Sequence, residues 1–228
     1  MPMRKKMTKK EALAITGHGS GLGDPSKMPG WTTAISASLC KQGAKLAKIA
    51  GSTCEKCYAK KNNYQYPSVR QAHDTRIAAL NAALADRAQG RRWVGAMSFL
   101  INRECSRIGE PWFRWHDSGD LQSEAHLRLI FKVCLLTPGV KHWLPTREVA
   151  MVRNVLKDTP CPPNLTIRVS AFMVGAAPMR RLPADTVTST VSYGKSAGQC
   201  PAYTQDGKCL DCRACWSRDV PNVNYPLH

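Results

Sequence analysis

Apolar residues recur along this chain with two different periods. From Ser68 to Ala88, SVRQAHDTRIAALNAALADRA places Ile, Leu and Ala on one helical face, with Ser68 as candidate N-cap, and a second helix is expected over Arg91 to Arg107. Beyond it, short β-branched or aromatic runs alternate with helical segments. PWFRWH (111–116) precedes a helix over 123–136, KHWLPT (141–146) precedes REVAMVRNVLKD, and LTIRVSAF (165–172) and TVTSTVSY (186–193) follow. WTTAISASL (31–39) makes a fifth strand-like run, ending at Cys40. Strands alternating with helices of about a dozen residues predict βαβ units and a parallel sheet. About five strands fall short of the eight of a closed barrel, so the pattern predicts an α/β fold built as an open, incomplete barrel. Lys41 to Ser52 reads as a turn or two of helix or as a loop, and residues 1–30, polar and rich in Gly, Lys and Pro, as a basic tail and lead-in loop. The resulting division is a tail over 1–30, a partial barrel over 31–195 and a cysteine-rich segment over 196–228.

Composition narrows the setting. The 228 residues suffice for one domain with a small appendage, and 43% hydrophobic with 21% charged residues is ordinary for a soluble globular chain. No apolar run approaches the roughly 18 residues of a membrane helix, and the apolar part of MPMRKKMTKKEALAI is too short for a signal peptide. A cytoplasmic protein with no membrane partner is expected. In a reducing compartment its ten cysteines favour metal or redox chemistry over disulfides. A formal charge of +17 points to nucleic acid or nucleotides as partners.

Seven of the cysteines fall in two groups with chelate spacing. Cys200, Cys209, Cys212 and Cys215 form C-x8-C-x2-C-x2-C, which suits a [4Fe–4S] cluster or tetrahedral zinc. Cys40 and the CxxC pair Cys54 and Cys57 supply only three thiolates. A cubane so held keeps one iron open for a ligand; the alternative is a site completed by Cys105, Cys134, Cys161 or a histidine. Cys134, inside FKVCLL, reads as a buried core thiol, and Cys105 and Cys161 as structural. His116, Asp117, Ser118, Gly119 and Asp120 end the second strand, where two carboxylates and a glycine suit an amino-acid-like ligand and Ser118 or Asp120 suits a helix cap. Arg147 follows the third strand and is a candidate carboxylate or phosphate fork, while Arg168 and Ser170 alternate on the fourth. All of these stand at the carboxyl ends of strands, where (β/α) folds bind ligands, and are expected to share one cavity.

The three-cysteine loop at a strand end, the GD turn and the cysteine-rich tail resemble radical S-adenosylmethionine (SAM) proteins. More closely, KMPGWTTAISASLCKQGAKL, GSTCEKCYAKKNNY, FRWHDSGDLQS, WLPTRE and CPAYTQDGKCLDCRACW resemble the phage gene product 88 family, radical-SAM-like iron–sulfur proteins, over about Lys27 to Trp216. The resemblance implies an open α/β barrel in which Cys40, Cys54 and Cys57 bind a [4Fe–4S] cluster and SAM chelates its free iron. It also implies that HDSGD meets the methionine amino group, that Arg168 and Ser170 lie near the ribose or carboxylate, and that the last four cysteines hold an auxiliary cluster. Tyr58 follows the last cysteine of the loop, where the superfamily has an aromatic before it. The implied activity is reductive cleavage of SAM to modify a substrate, nucleic acid or nucleotide by charge. A reductant protein such as a flavodoxin or ferredoxin would feed the cluster, in the host cytoplasm if phage-encoded. The rival reading is a non-catalytic nucleic-acid-binding protein with structural Fe–S or zinc sites.

Overall fold

The computed structural model describes residues 6–194 and 198–227. Residues 1–5 of the expected tail and the boundary at 195–196 lie outside them. The N-terminal lead-in is not all loop: α1 (Lys9–Thr16) opens on a capping box, Thr8 and Glu11 each accepting from the other's backbone N–H, and stops at Gly17 in the left-handed region. A side chain at Gly17 would collide with the Thr75 carbonyl at 2.3 Å. The helix is anchored by Lys9, which pairs with buried Glu104 at 2.9 Å.

After β1 (Trp31–Thr32) come the short α2 (Lys41–Leu46) and the two long helices α3 (Pro67–Ala85) and α4 (Arg87–Ile108). Proline at the first turn starts α3, with Tyr66 rather than Ser68 at the cap, and Asp86 accepts from Gln89 N–H to start α4. Then β2 (Trp112–Arg114), α5 (Glu124–Leu135), β3 (Lys141–Thr146), α6 (Val149–Leu156), β4 (Leu165–Ser170), β5 (Thr186–Ser192) and β6 (Asn222–Pro226) follow. Ser123 caps α5, so neither Ser118 nor Asp120 does.

All six strands are parallel and lie in sequence order, β1-β2-β3-β4-β5-β6, in an open sheet curled into a half-barrel. The first strand is shorter than its β-branched run suggests. Only Trp31 and Thr32 pair in register with β2, after which Ser36 accepts from Ser38 N–H and turns the chain into a 3-10 segment before Cys40. The sixth strand was not expected: NVNYP lacks a strong apolar alternation. It is held by polar rungs, Thr188 Oγ1 to Asn222 at 2.8 Å and Thr190 Oγ1 to Asn224 at 3.0 Å.

The two faces of the sheet are covered by different material. Phe113, Leu144, Leu165 and Ile167 face α4, α5 and α6 through Leu100, Ile101, Leu127, Ile130, Val152 and Val155, all buried. On the inner face Trp143 and Val223 pack with Trp216 and Cys215 of the cysteine-rich segment. Arg168 ties that segment down. Fully buried, it donates to the carbonyls of Thr188 (2.6 Å), Ala214 (3.0 Å), Ser217 (3.0 Å) and Val220 (3.2 Å). Its inward position on an apolar strand is thus explained by peptide oxygens. Among the described residues no helix is long and apolar enough to cross a membrane.

Replacing Arg168 with Met removes the donor from all four carbonyls. We expect urea unfolding to show a loss of at least about 3 kcal/mol, with faster proteolysis of the cysteine-rich segment. An unfolding midpoint equal to wild type would show that the segment does not depend on this guanidinium.

Candidate functional site

The sheet delivers its post-strand loops to one rim, and buried hydrogen bonds lock them together. Asp120, after β2, accepts from Thr146 Oγ1 (2.6 Å) and Arg147 N–H (2.8 Å) at the end of β3, and from Leu121 N–H (2.7 Å). Glu148 accepts from Gln42 N–H at 2.7 Å and so fixes the start of α2 beside Cys40. Thr53 donates its N–H to the Phe172 carbonyl at 2.9 Å, docking the Cys54 loop on the end of β4. Gly119 has a φ of 81°, and a Cβ there would lie 2.4 Å from Ile35 Cγ1, so only glycine lets the second loop pass under the first.

These locks gather Cys40, Cys54, Cys57, Tyr58, His116, Asp117, Ser118, Gly119, Asp120 and Arg147 around one open-mouthed cavity of about 90 Å³. Arg168 and Ser170 are not among its walls. The first serves the cysteine-rich segment and the second accepts from Ser189 Oγ at 3.1 Å, so neither is brought into the cavity with the other expected site residues. Cys105, Cys134 and Cys161 lie in the main core.

The cavity wall is polar and incompletely satisfied. His116 Nδ1, Asp117 Oδ1 and Ser118 Oγ are buried without a hydrogen-bond partner. Leaving such atoms idle costs about 1–3 kcal/mol each, so three along one wall make it a candidate place for a ligand. His116 also holds a φ of 57°, a left-handed conformation that non-glycine residues seldom adopt. Burial, with His126 and Arg114 adding to it, pushes the His116 pKa well below its ordinary value, so the imidazole is neutral. Burial raises Asp117 against the opposing pull of Arg114 and Arg76.

The sulfurs converge. Burial raises the Cys40 thiol to about 12, with Asp120, Cys57 and Cys54 adding to it, and Arg147 opposes the rise; Cys54 is raised chiefly by burial as well. Gly43, missed by sequence reasoning, explains how the space between them stays open. A Cβ there would lie 3.6 Å from Cys54 Sγ, 3.7 Å from Cys40 Sγ and 3.0 Å from Cys40 Cβ. The glycine costs α2 about 1 kcal/mol against alanine, and what it gains is relief from the tight approach to Cys40 Cβ beside two thiols. Among the described residues no three His, Cys, Asp or Glu side chains are gathered for a single metal ion. Tetrahedral zinc with bonds of about 2.3 Å brings its sulfurs to about 3.8 Å. Three thiols lining one cavity are a donor set of the kind iron–sulfur clusters use, and a cluster with bridging sulfide spreads its cysteines wider than a single zinc ion does.

A second group lies on the inner face. Burial raises the Cys200, Cys209 and Cys215 thiols, with neighbouring cysteines adding to the rise, and Cys215, pushed up to about 11, shares a 3.2 Å hydrogen bond with Tyr225 Oη. Arg114 stands between the two groups and was also missed. It lines the cavity, donates to Tyr58 Oη at 3.3 Å and to Met28 Sδ at 3.7 Å, and lies 4.6 Å over the Trp143 ring that packs with Cys215. Tyr58 in turn donates to the Asp117 carbonyl at 2.6 Å. The only sequence signal for Arg114 was its place two residues before His116 at the end of a strand.

Thiols and carboxylates collected on the carboxyl-terminal rim of an open parallel sheet define a half-barrel α/β protein with a cysteine-lined cavity where (β/α) proteins carry ligands. Over residues 3–218 the chain matches the family model of gene product 88, and it belongs to that family. No curated protein and no solved structure gives a significant match.

Burial raises Asp120 from the ordinary carboxylate value to about 6, against the three hydrogen bonds it accepts, and Glu148 adds to the rise. An acid raised in the folded state contributes stability that is complete below the unfolded value of about 4 and is lost as pH rises through the folded one. We expect the unfolding free energy to fall by up to about 3 kcal/mol between pH 4 and pH 6, and Asp120→Asn to flatten that fall in urea titrations at each pH.

Proposed function

We propose that this gene product 88 protein is a radical-SAM-type iron–sulfur enzyme whose reactive site is the cavity at the strand ends. The observation that carries the reading is the convergence of Cys40 and Cys54 on the cradle left by Gly43, with Cys57 in the same wall. These three thiols would hold a [4Fe–4S] cluster with one iron unclaimed by protein. A reduced cluster of that kind supplies the electron for reductive cleavage of SAM, delivered by a reductant protein.

The chain's own residues have definable parts. Asp117 Oδ1 and Ser118 Oγ, unpartnered in the wall, offer acceptors to an ammonium group. Arg147, held by Thr53 Oγ1 at 3.1 Å beside the thiols, offers a cation to a carboxylate and offsets the charge of thiolates. His116, neutral and buried, excludes a second positive charge from that wall. Thiols with raised pKa values give up their protons only to a metal, so loading the site releases protons. The four thiols of the inner face would hold the auxiliary cluster, fastened to the sheet by Arg168.

Anaerobic reconstitution should give brown protein with about eight irons and, after dithionite reduction, release of 5′-deoxyadenosine or methionine from SAM. Gly43→Val, which fills the cradle, should keep its unfolding midpoint while losing about half of the iron. Colourless protein with stoichiometric zinc, or full iron in Gly43→Val, would remove this reading.

A further inference from the structure

Six lysines stand in the stretch 41–61, which supplies part of the cavity wall: Lys41, Lys45, Lys48, Lys56, Lys60 and Lys61, all exposed. Between residues 41 and 61 the only acidic side chain is Glu55, which accepts from the Gly51 N–H at 2.8 Å. Among the described residues none of the six lysines is ion-paired. Lys41 and Lys45 are one helical turn apart on α2, opposite buried Leu46, and Lys60 itself lines the cavity. Two aromatic rings stand among them in the open, Tyr58 at 50% and Tyr66 at 58% exposure, and Tyr64 meets the Tyr58 ring edge-on at 5.8 Å.

We propose that this rim is a docking surface for single-stranded nucleic acid, which brings a nucleotide to the cavity. The inference rests on the cavity being the reactive site proposed above. Unpaired lysines are point charges suited to phosphates, and exposed tyrosine faces are platforms on which unpaired bases stack without regard to sequence. A protein partner fits the surface less well, because lysine is depleted from the centres of protein–protein interfaces. A duplex fits less well than a single strand, because a small recessed cavity admits a base only after it has left its stack.

The test is fluorescence anisotropy of a labelled single-stranded oligonucleotide against salt. Two variants, Lys41→Gln/Lys45→Gln/Lys48→Gln and Lys56→Gln/Lys60→Gln/Lys61→Gln, alter exposed positions that contribute little to stability. Each should reduce the slope of log affinity against log salt by about 2, since a lysine contact on a single strand contributes about 0.7. Tyr66→Ala, at a helix start where the side chain makes no cap, should weaken binding about fivefold or more. Wild-type affinity and slope in both triple variants would overturn the proposal. So would equal binding of a duplex of the same sequence, or capture of an acidic flavodoxin through the same lysines with no oligonucleotide bound. Cys57→Ser separates the two readings. Iron lost and oligonucleotide affinity kept is the expected result, whereas wild type that holds cluster but binds no oligonucleotide sinks the rim alone.

Discussion

Six strands that all run the same way, taken in the order of the sequence, have their carboxyl ends on one rim. That constraint brings residues from 40 to 147 within reach of one another, and the cavity depends on it. A parallel sheet has no hairpins, so each strand end must be followed by a crossover, and here the crossovers carry chemistry as well as helices. The last two do without an α-helix among their described residues, and the connection from β5 to β6 folds back over the inner face with four cysteines in it.

Position alone does not make a site; the loops must hold still. They are held by buried charge and peptide groups rather than by apolar packing: the Asp120 carboxylate joins the second and third strand ends, Glu148 joins the third to the Cys40 helix, and Thr53 joins the Cys54 loop to the fourth. These bonds are buried or part-buried, so the loss of one would strand a polar group, and the network behaves as a unit. Against this satisfied scaffold, the idle atoms of His116, Asp117 and Ser118 stand out. Arg114 links the cavity to the inner-face group through Tyr58 on one side and Trp143 on the other, and its charge reaches Cys209 of that group.

Much of the fold was legible because helical and strand periods differ and because valine, isoleucine and threonine mark β4 and β5 plainly. What escaped notice did so for identifiable reasons. The first helix hid in a lysine-rich stretch, although Thr8 and Glu11 carried its capping-box signature. The sixth strand uses asparagine, a poor strand former, because its stability comes from side-chain rungs to Thr188 and Thr190. Within the site, cysteine spacing and the HDSGD turn located the walls, since such residues at strand ends have few other uses. Gly43 and Arg114 were silent: a glycine in a short helix and an arginine in a short strand acquire meaning only from what stands opposite. The partners of Arg168 were silent for the same reason, because the carbonyls it binds belong to residues 188 to 220.

We propose that the thiols of Cys40, Cys54 and Cys57 hold a cluster with one iron left for a ligand. The measurement that tests this most directly is the electron paramagnetic resonance spectrum of anaerobically reconstituted, dithionite-reduced protein before and after addition of SAM. The account requires a reduced-cubane signal, part of which changes shape when SAM is added while the remainder, from the inner-face group, does not. A fully iron-loaded protein whose spectrum is indifferent to SAM would contradict it.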